Sequence, residues 1–492
     1  MRYTQKVVIV GAGISGLACA FRLKQLEVPF LVLEASGRPG GVILTTRRNG
    51  CLFEGGPQCP RFPASVWELV RTLDLEREFI PGDPKAKRYI LEGGHLHSAP
   101  FSPGGLLTTK LLRASSKLRI LAEVFGNTSP PQEEESLAAF VQRKFGTEVL
   151  ENLVDPLIST VFFGDAYRMG MQSAFPALVD WEKNHGSLVR GALRARASKR
   201  AKNESLNQTP SRSAKAAGSL KVTDSLPSLG SFRDGMGRLP ERLAEKLVEE
   251  VRYGVAVESV KHVSDEDRDY IGWQIRTSEG ENVAAEHLVL CVPAYEAARI
   301  LYPTAPAVAS SLGSIEYAPV HGMSAVYDRQ QVRNPLDGFG FMVPRKAGLR
   351  TICTFWNSSL FPRRAQTDKV LITSFSRIEA SESSGENDQP FAAEVEAENA
   401  MVLGIKGEPT DREVWTNSRA LPQYNVGHWR TVNTLKEAAF AVRNLYLAGN
   451  YIRGRSIGDC VELAVDVARS IHSQLQVGSI QRTSNCAPGV TL

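Results

Sequence analysis

A chain of 492 residues, 42% hydrophobic and 23% charged, is globular in composition and long enough for two or three domains. Its net charge of +5 is too small and too dispersed to point to nucleic acid, and its seven scattered cysteines, with no C-x-x-C pair, exclude a disulfide framework and a zinc site. No window approaches the apolar length of a membrane span, which leaves lying on a membrane surface open.

The start, "MRYTQKVVIVGAG", runs directly into a strand and leaves no room for a signal peptide, so a reducing, cytoplasmic setting is expected. Val7–Val10 read as a buried parallel strand. Gly11, Gly13 and Gly16 then form G-x-G-x-x-G, followed by helical spacing at Ile14, Leu17 and Phe21, a second strand at Phe30–Leu33 and Glu34 at its end. Each residue type has a task. Gly11 permits the tight turn, Gly13 lets backbone approach a pyrophosphate, and Gly16 lets the helix pack on the strand. The helix N-terminus holds phosphate, and Glu34 accepts hydrogen bonds from a ribose. "GRPGG" (37–41) puts Arg38, Gly40 and Gly41 where a second phosphate contact can form, and "FEGGPQCPRF" (53–62) supplies a further glycine turn.

Residues 65–80 show helical spacing, and "RYILEGGHLHSAP" (88–100) reads as a hairpin whose His95 and His97 have no third metal ligand in sight. The stretch 104–125 mixes leucines with Lys110, Arg113, Lys117 and Arg119; it suits a membrane interface or the cover of a helical core. Residues 136–165 read as a helical pair capped by Ser136. Residues 190–221 are rich in Lys and Arg with little to bury, so they are expected to be a mobile insertion, either solvated or an electrostatic handle for anionic lipid. Order resumes at "SFRDGMGRLPERLAEKL" (231–247), and strands at 253–263 and within 273–294 return to the dinucleotide-type sheet. Strands near 322–327, 339–344, 351–356 and 370–376 make a second, mixed sheet, and "LAGNYIRGRSIGDCVELA" (447–464) reads strand, glycine turn, helix.

The spacing E-x(3)-R-x-G-G after the first βαβ unit resembles the flavin amine oxidase superfamily, where this region wraps FAD. "DGFGFMVP" (337–344), "ALPQYNVGH" (420–428) and "GNYIRGRSIGDCVELA" (449–464) are similar, in that order, to segments of the oxygen-dependent protoporphyrinogen and coproporphyrinogen oxidase family. Departures are Gln58 and Cys59 in the glycine–proline turn, Arg455 in the C-terminal motif, and the 190–221 insertion. The resemblance implies an α/β chain, α+β overall. A discontinuous Rossmann-like FAD domain is expected from 1–62, 222–298 and 429–476, and a mixed-sheet substrate domain from 63–87 and 299–428. Residues 88–221 would be helical and 477–492 a disordered tail.

It also implies an FAD oxidase that takes a porphyrinogen to the porphyrin by three two-electron oxidations, with dioxygen as acceptor and hydrogen peroxide as by-product. Protoporphyrinogen IX is the first choice of substrate and coproporphyrinogen III the alternative. An amine oxidase, a carotenoid-type desaturase or a non-catalytic flavoprotein are the rivals. The cofactor residues are then Gly11, Gly13, Ile14, Ser15, Gly16, Glu34, Ala35, Arg38, Gly40, Gly41, Val42, Gly56, Pro57, Val257, Trp415, Gly449, Asn450, Ile457, Gly458 and Val461. Arg61 would hold a substrate carboxylate, Phe339 and Met342 would line an apolar slot, and no residue stands out as catalytic. No metal is expected; peripheral contact with the cytoplasmic membrane and a homodimer are compatible with the family.

Overall fold

The structure, a computed structural model, describes residues 5–126, 129, 131–195, 197, 228–265, 270–378 and 388–485. Most of the basic 190–221 stretch therefore lies outside the described residues, as do 486–492 of the tail. Contacts divide the chain into two compact units, one of Met1–Gly82, Leu229–Glu316 and Arg430–Leu492 and one of Asp83–Ser228 and Tyr317–Trp429.

The first unit is built on a seven-stranded sheet. Its order is Val257–Asp265, Tyr270–Thr277, Asn282–Leu290, Gln5–Val10, Phe30–Glu34, Val251–Tyr253, with Leu445–Leu447 also paired to Asn282–Leu290. The central pairings are parallel and the Val257–Thr277 hairpin is antiparallel. A parallel core needs cover on both faces. Accordingly Val7, Val8 and Ile9 are fully buried, and helices Ile14–Gln25 and Ile457–Asn485 join Val7 and Ile9 in one apolar core through Leu17, Ala18, Leu23, Ala464 and Ile471.

The sheet of the second unit runs Asp411–Pro422, Tyr317–Asp328, Lys369–Ser376, Thr351–Phe355, Gly338–Met342, Lys87–Glu92, His95–Ser98. All its pairings are antiparallel except Gly338–Met342 with Lys87–Glu92. Helix Asp388–Leu403 packs on it through Phe391, Ala392 and Val395. A helical segment gathers around Leu137, Phe140, Leu150 and Ile158.

Four expectations about boundaries change. Residues 63–82 belong with the first unit, because helix Ala64–Thr72 drives Val66, Trp67, Leu69 and Val70 into its core. Residues 299–316 do so too, carried by helices Ala294–Leu301 and Pro306–Gly313. Residues 87–98 are edge strands of the mixed sheet rather than part of a helical domain, because their backbone continues its ladder. The C-terminal helix continues past 476, to Asn485, where a tail was expected.

Trp67 packs against Phe62 and Phe79 within the first core. Trp67→Ala should cost on the order of 3–5 kcal/mol, the range for deleting a large buried aromatic, seen as a lower urea midpoint by far-ultraviolet circular dichroism. An unchanged midpoint would return 63–82 to a peripheral role.

Candidate functional site

In the first unit the site begins where strand Gln5–Val10 turns into helix Ile14–Gln25. Gly11 has φ +100°, a conformation costly for any other residue. A Cβ on Gly16 would lie 1.8 Å from the Gly11 carbonyl oxygen, so the helix rests directly on the turn. Gly13 differs: a Cβ there would meet no atom within 4 Å. It would occupy open space in front of a helix N-terminus that has neither a side-chain cap nor an acidic first turn. That is an uncapped set of backbone donors with room for an anion.

The 38–43 loop closes on this turn. Gly40 donates its N–H to the Ala12 carbonyl at 2.9 Å and bridges Gly13. The Arg38 guanidinium donates to the Gly41 and Pro39 carbonyls at 2.8 and 3.1 Å, shaping the glycine pair. Val42 is exposed beside it, and the Val42 carbonyl lies where a Cβ on Gly56 would fall, bringing the 55–57 turn alongside. Glu34 accepts from the Ala12 N–H at 2.6 Å through one oxygen and from the Ser36 N–H and hydroxyl through the other. Ala35 is exposed just beyond it. Tyr253 stands opposite Glu34 in the ladder, and burial with the nearby carboxylate pushes its hydroxyl pKa up. Val257 is buried at a bulge, its carbonyl accepting from Arg299 at 2.9 Å.

The C-terminal motif is drawn to the same place. Cys460 sits within hydrogen-bonding reach of Ser15, and burial pushes its thiol pKa up to about 11. Ile457 and Val461 share the core of Leu17 and Ala18, and a Cβ on Gly458 would strike Pro63 at 2.4 Å. Gly449 is buried, and Asn450 partly so, in the turn after strand Leu445–Leu447. One feature departs from a bare positive helix end. Ser456 and Asp459 exchange hydrogen bonds across the first turn, each backbone N–H donating to the other's side chain at 3.1 Å. The helix thus carries its own carboxylate at its N-terminus. Arg61, which continues the 55–57 turn, is exposed, and its backbone bridges Leu229.

Burial likewise raises the thiols of Cys19, to about 12, and of Cys291, well above the usual range. These thiols stay protonated at neutral pH, so none is a ready nucleophile.

In the second unit an aromatic row crosses the sheet. Phe339 meets Phe355 at 5.8 Å, Phe355 meets Phe375 at 5.8 Å, and Phe375 meets Trp415 at 6.0 Å, each edge to face. Phe163 joins at 5.2 Å from Phe375. The row exists because of a glycine. Gly322 lies between Phe375 and Trp415 in the ladder, and a Cβ there would be 2.4 Å from the Trp415 indole. Met342 is 6% exposed and belongs instead to a separate cluster with Ile90 and Leu111. Phe355 and Phe375 escaped sequence reasoning; the alternation of "TICTFW" and "LITSFS" was their only signal. His428 stacks on Tyr424 at 4.5 Å.

The sequence profile of the flavin containing amine oxidoreductase family matches residues 14–472. The chain belongs to that family. Within it, the chain groups with protoporphyrinogen and coproporphyrinogen oxidases. It is 32% identical to the chloroplastic protoporphyrinogen oxidase of Nicotiana tabacum, over 94% of this chain and 85% of that protein. It is 26% identical to the coproporphyrinogen III oxidase of Bacillus subtilis (strain 168), over 93% and 95%. A solved Exiguobacterium sp. 255-15 protein, to which protoporphyrinogen oxidase activity is provisionally attributed, superposes with a TM-score of 0.76 at 23% identity, over 96% of this chain and all of that one. Putrescine oxidase superposes with a TM-score of 0.65 at 18% identity, over 95% of this chain and 99% of that one. Likenesses this distant show the fold alone. As a member of this family the chain is an FAD-dependent oxidoreductase. The open space at Gly13 and the uncapped helix start fit the cofactor's pyrophosphate.

Gly13→Val should leave the fold intact, since its Cβ would meet no atom within 4 Å, yet weaken FAD binding at least about tenfold by filling the phosphate approach. Flavin fluorescence titration of the apoprotein checks the affinity, and circular dichroism checks the fold. Tight FAD binding by the valine variant would dismiss this loop as the phosphate site.

Proposed function

We propose that this chain oxidises a porphyrinogen, protoporphyrinogen IX, to the corresponding porphyrin in haem biosynthesis. The aromatic row carries this reading. A tetrapyrrole is a wide, largely apolar body, flat once oxidised to the porphyrin, and a row of rings from four strands of one sheet offers it stacking and edge contacts worth about 0.5–1.5 kcal/mol per ring pair beyond area burial. Phe339, Phe355 and Phe375 would form that wall, with Met342 packed apart from it in its own cluster; Trp415, at the end of the row, would keep the cofactor role that the resemblance implies. Arg61 would pair with a propionate, since guanidinium binds carboxylate bidentately. The names of the near full-length relatives support the same reaction class.

The FAD would be held at Gly11, Gly13, Ile14, Ser15, Gly16 and Glu34, by the Ala35–Val42 loop with Arg38, Gly40 and Gly41, and by the Gly56–Pro57 turn. Val257, Gly449, Asn450, Ile457, Gly458 and Val461 would complete its seat. When bound, FAD supplies the two-electron acceptor for each oxidation and passes the electrons to dioxygen. The porphyrinogen loses six hydrogens as three hydride–proton pairs, and three dioxygen molecules become three hydrogen peroxide. The chain's own residues hold the macrocycle and exclude water; the rings of the row carry no acid or base. Three equivalents of peroxide per porphyrin formed, read by porphyrin fluorescence and a peroxide assay, is the expected result. Turnover of amines with none of porphyrinogen would transfer the reading to an amine oxidase. Phe355→Ala should lower kcat/KM for porphyrinogen about tenfold if the row holds the ring.

We infer as well that the second unit rests on an anionic membrane surface through helix Ala114–Ala122. None of that helix's residues is buried. Leu118 and Leu121, with Phe125 just beyond, are 66%, 50% and 86% exposed. Lys110, Arg113 and Lys117 supply positive charge around them, the pairing that favours interfacial binding. Among the described residues no helix is long and apolar enough to cross a membrane. Co-sedimentation with phosphatidylglycerol vesicles should fall several-fold in Leu118→Asp/Phe125→Asp, on the order of the apolar area withdrawn. Equal binding by the double variant would remove this helix as the contact.

A further inference from the structure

Helix Asp155–Phe162 has a polar face although its end lies against the aromatic row. Asp155 and Ser159, one turn apart, are 4% and 3% exposed. The Asp155 Oδ1 and the Ser159 hydroxyl make no hydrogen bond, and neither does the buried Nη2 of Arg377. Thr160 comes next, beside the Cys353 thiol, and Phe163 ends the helix against Phe375 at 5.2 Å. Cys353 and Phe163 share one apolar cluster with Phe355, Phe375 and Trp415. The helix thus runs from a buried carboxylate to the edge of the row.

The charges that act on Asp155 come from three places. Arg345, in the turn after strand Gly338–Met342, approaches it at 3.5 Å and approaches Asp165 at 3.4 Å. Arg377, just past strand Lys369–Ser376, and Asp165, just past the helix, act on it as well. Strands Gly338–Met342 and Thr351–Phe355, which also contact the helix, bring no charge. Burial is the largest influence and pushes the Asp155 pKa up; Arg345 and Arg377 pull it down, and Asp165 adds to the rise. The Arg345 side chain is 46% exposed, so the ion pair opens on solvent at one end. A buried acceptor left unbonded costs about 1–3 kcal/mol, and a fold that keeps one keeps a lone pair ready for a proton.

We propose that Asp155 accepts the pyrrole N–H protons of the macrocycle, through the Thr160 and Ser159 hydroxyls and ordered water. This inference rests on the porphyrinogen reading given above, in which the row itself carries no acid or base. In each two-electron oxidation a C–H bond of the macrocycle breaks, and the hydride takes both electrons to the acceptor. A pyrrole N–H bond then breaks. Its electron pair stays on nitrogen and neutralises the cation, and the proton makes Asp155 a neutral acid. Asp155 returns the proton to solvent past Arg345, and one proton is consumed as each dioxygen becomes hydrogen peroxide. Asp155 does not touch the macrocycle; it is the end of a relay.

The test is anaerobic single-turnover reduction of the FAD-loaded full chain by protoporphyrinogen IX, followed by flavin absorbance across about pH 5–9. The relay needs an ionised acceptor, so the wild-type rate should fall as pH drops through the Asp155 pKa, above the ordinary aspartate range. Asp155→Asn should lose that acid limb and run about tenfold slower on the high-pH plateau, with Kd for protoporphyrin IX within about twofold. Arg345→Gln removes a cation that pulls the pKa down, so it should shift the limb to higher pH. It serves if the asparagine variant does not fold. A uniform loss of rate with the limb kept would assign Asp155 to structure alone, and a wild-type rate and limb in the asparagine variant would overturn the proposal. If porphyrinogen does not reduce the wild-type flavin, the functional reading falls and this inference with it. If it does and the variants match the wild type, only the role of Asp155 falls.

Discussion

The first unit depends on one close approach, the backbone of Gly16 against the carbonyl of Gly11. No methyl group fits there, and the first turn of helix Ile14–Gln25 consequently sits on the strand that precedes it. From that position Ser15 reaches the Cys460 thiol, and Leu17 and Ala18 pack with Val461 and Ala464. The far end of the chain is thereby drawn to the first glycine loop. Two helix N-termini, more than four hundred residues apart, end up in one unit. They are not equivalent. The first is bare and suits phosphate, whereas the second carries Asp459 in its own capping pair with Ser456.

Glycine plays a different part in the second unit. Gly322 and Gly340 vacate sheet positions so that larger neighbours can meet across them. Trp415 reaches Phe375 across Gly322, and Gly340 separates Arg88 from Phe355 only by backbone. The result is a wall whose width is set by strand spacing and whose side chains are fixed by edge-to-face packing. Such a wall is pre-organised, since rings packed edge to face keep little side-chain freedom.

Buried charge organises the helical part of that unit. Glu182, with its side chain fully buried, accepts from Arg143 at 2.7 Å and pairs with Lys144 at 2.8 Å. Glu123 accepts from the Ser187 hydroxyl and from the N–H groups of Leu188 and Val189. Removing one partner from such a set leaves an uncompensated charge inside, which costs more than exchanging the whole set for apolar groups. The network thus ties down the chain just where the basic 190–221 stretch begins.

The sequence by itself determined the dinucleotide loop, the parallel strands around it, the C-terminal glycine motif and membership of the flavin family. These are local patterns: glycine spacing, β-branched runs and helical periodicity act within a few residues of one another. Only the tertiary structure decided that 63–82 packs into the first unit, that Met342 lies apart from Phe339, and that Asp459 shields the second helix end. It alone assembled Phe339, Phe355, Phe375 and Trp415 into one line. Each of those residues comes from a different strand, separated by loops of unrelated length. Their meeting is fixed by ladder register and by the glycines between them, and register is a property of paired strands that no single stretch of sequence carries.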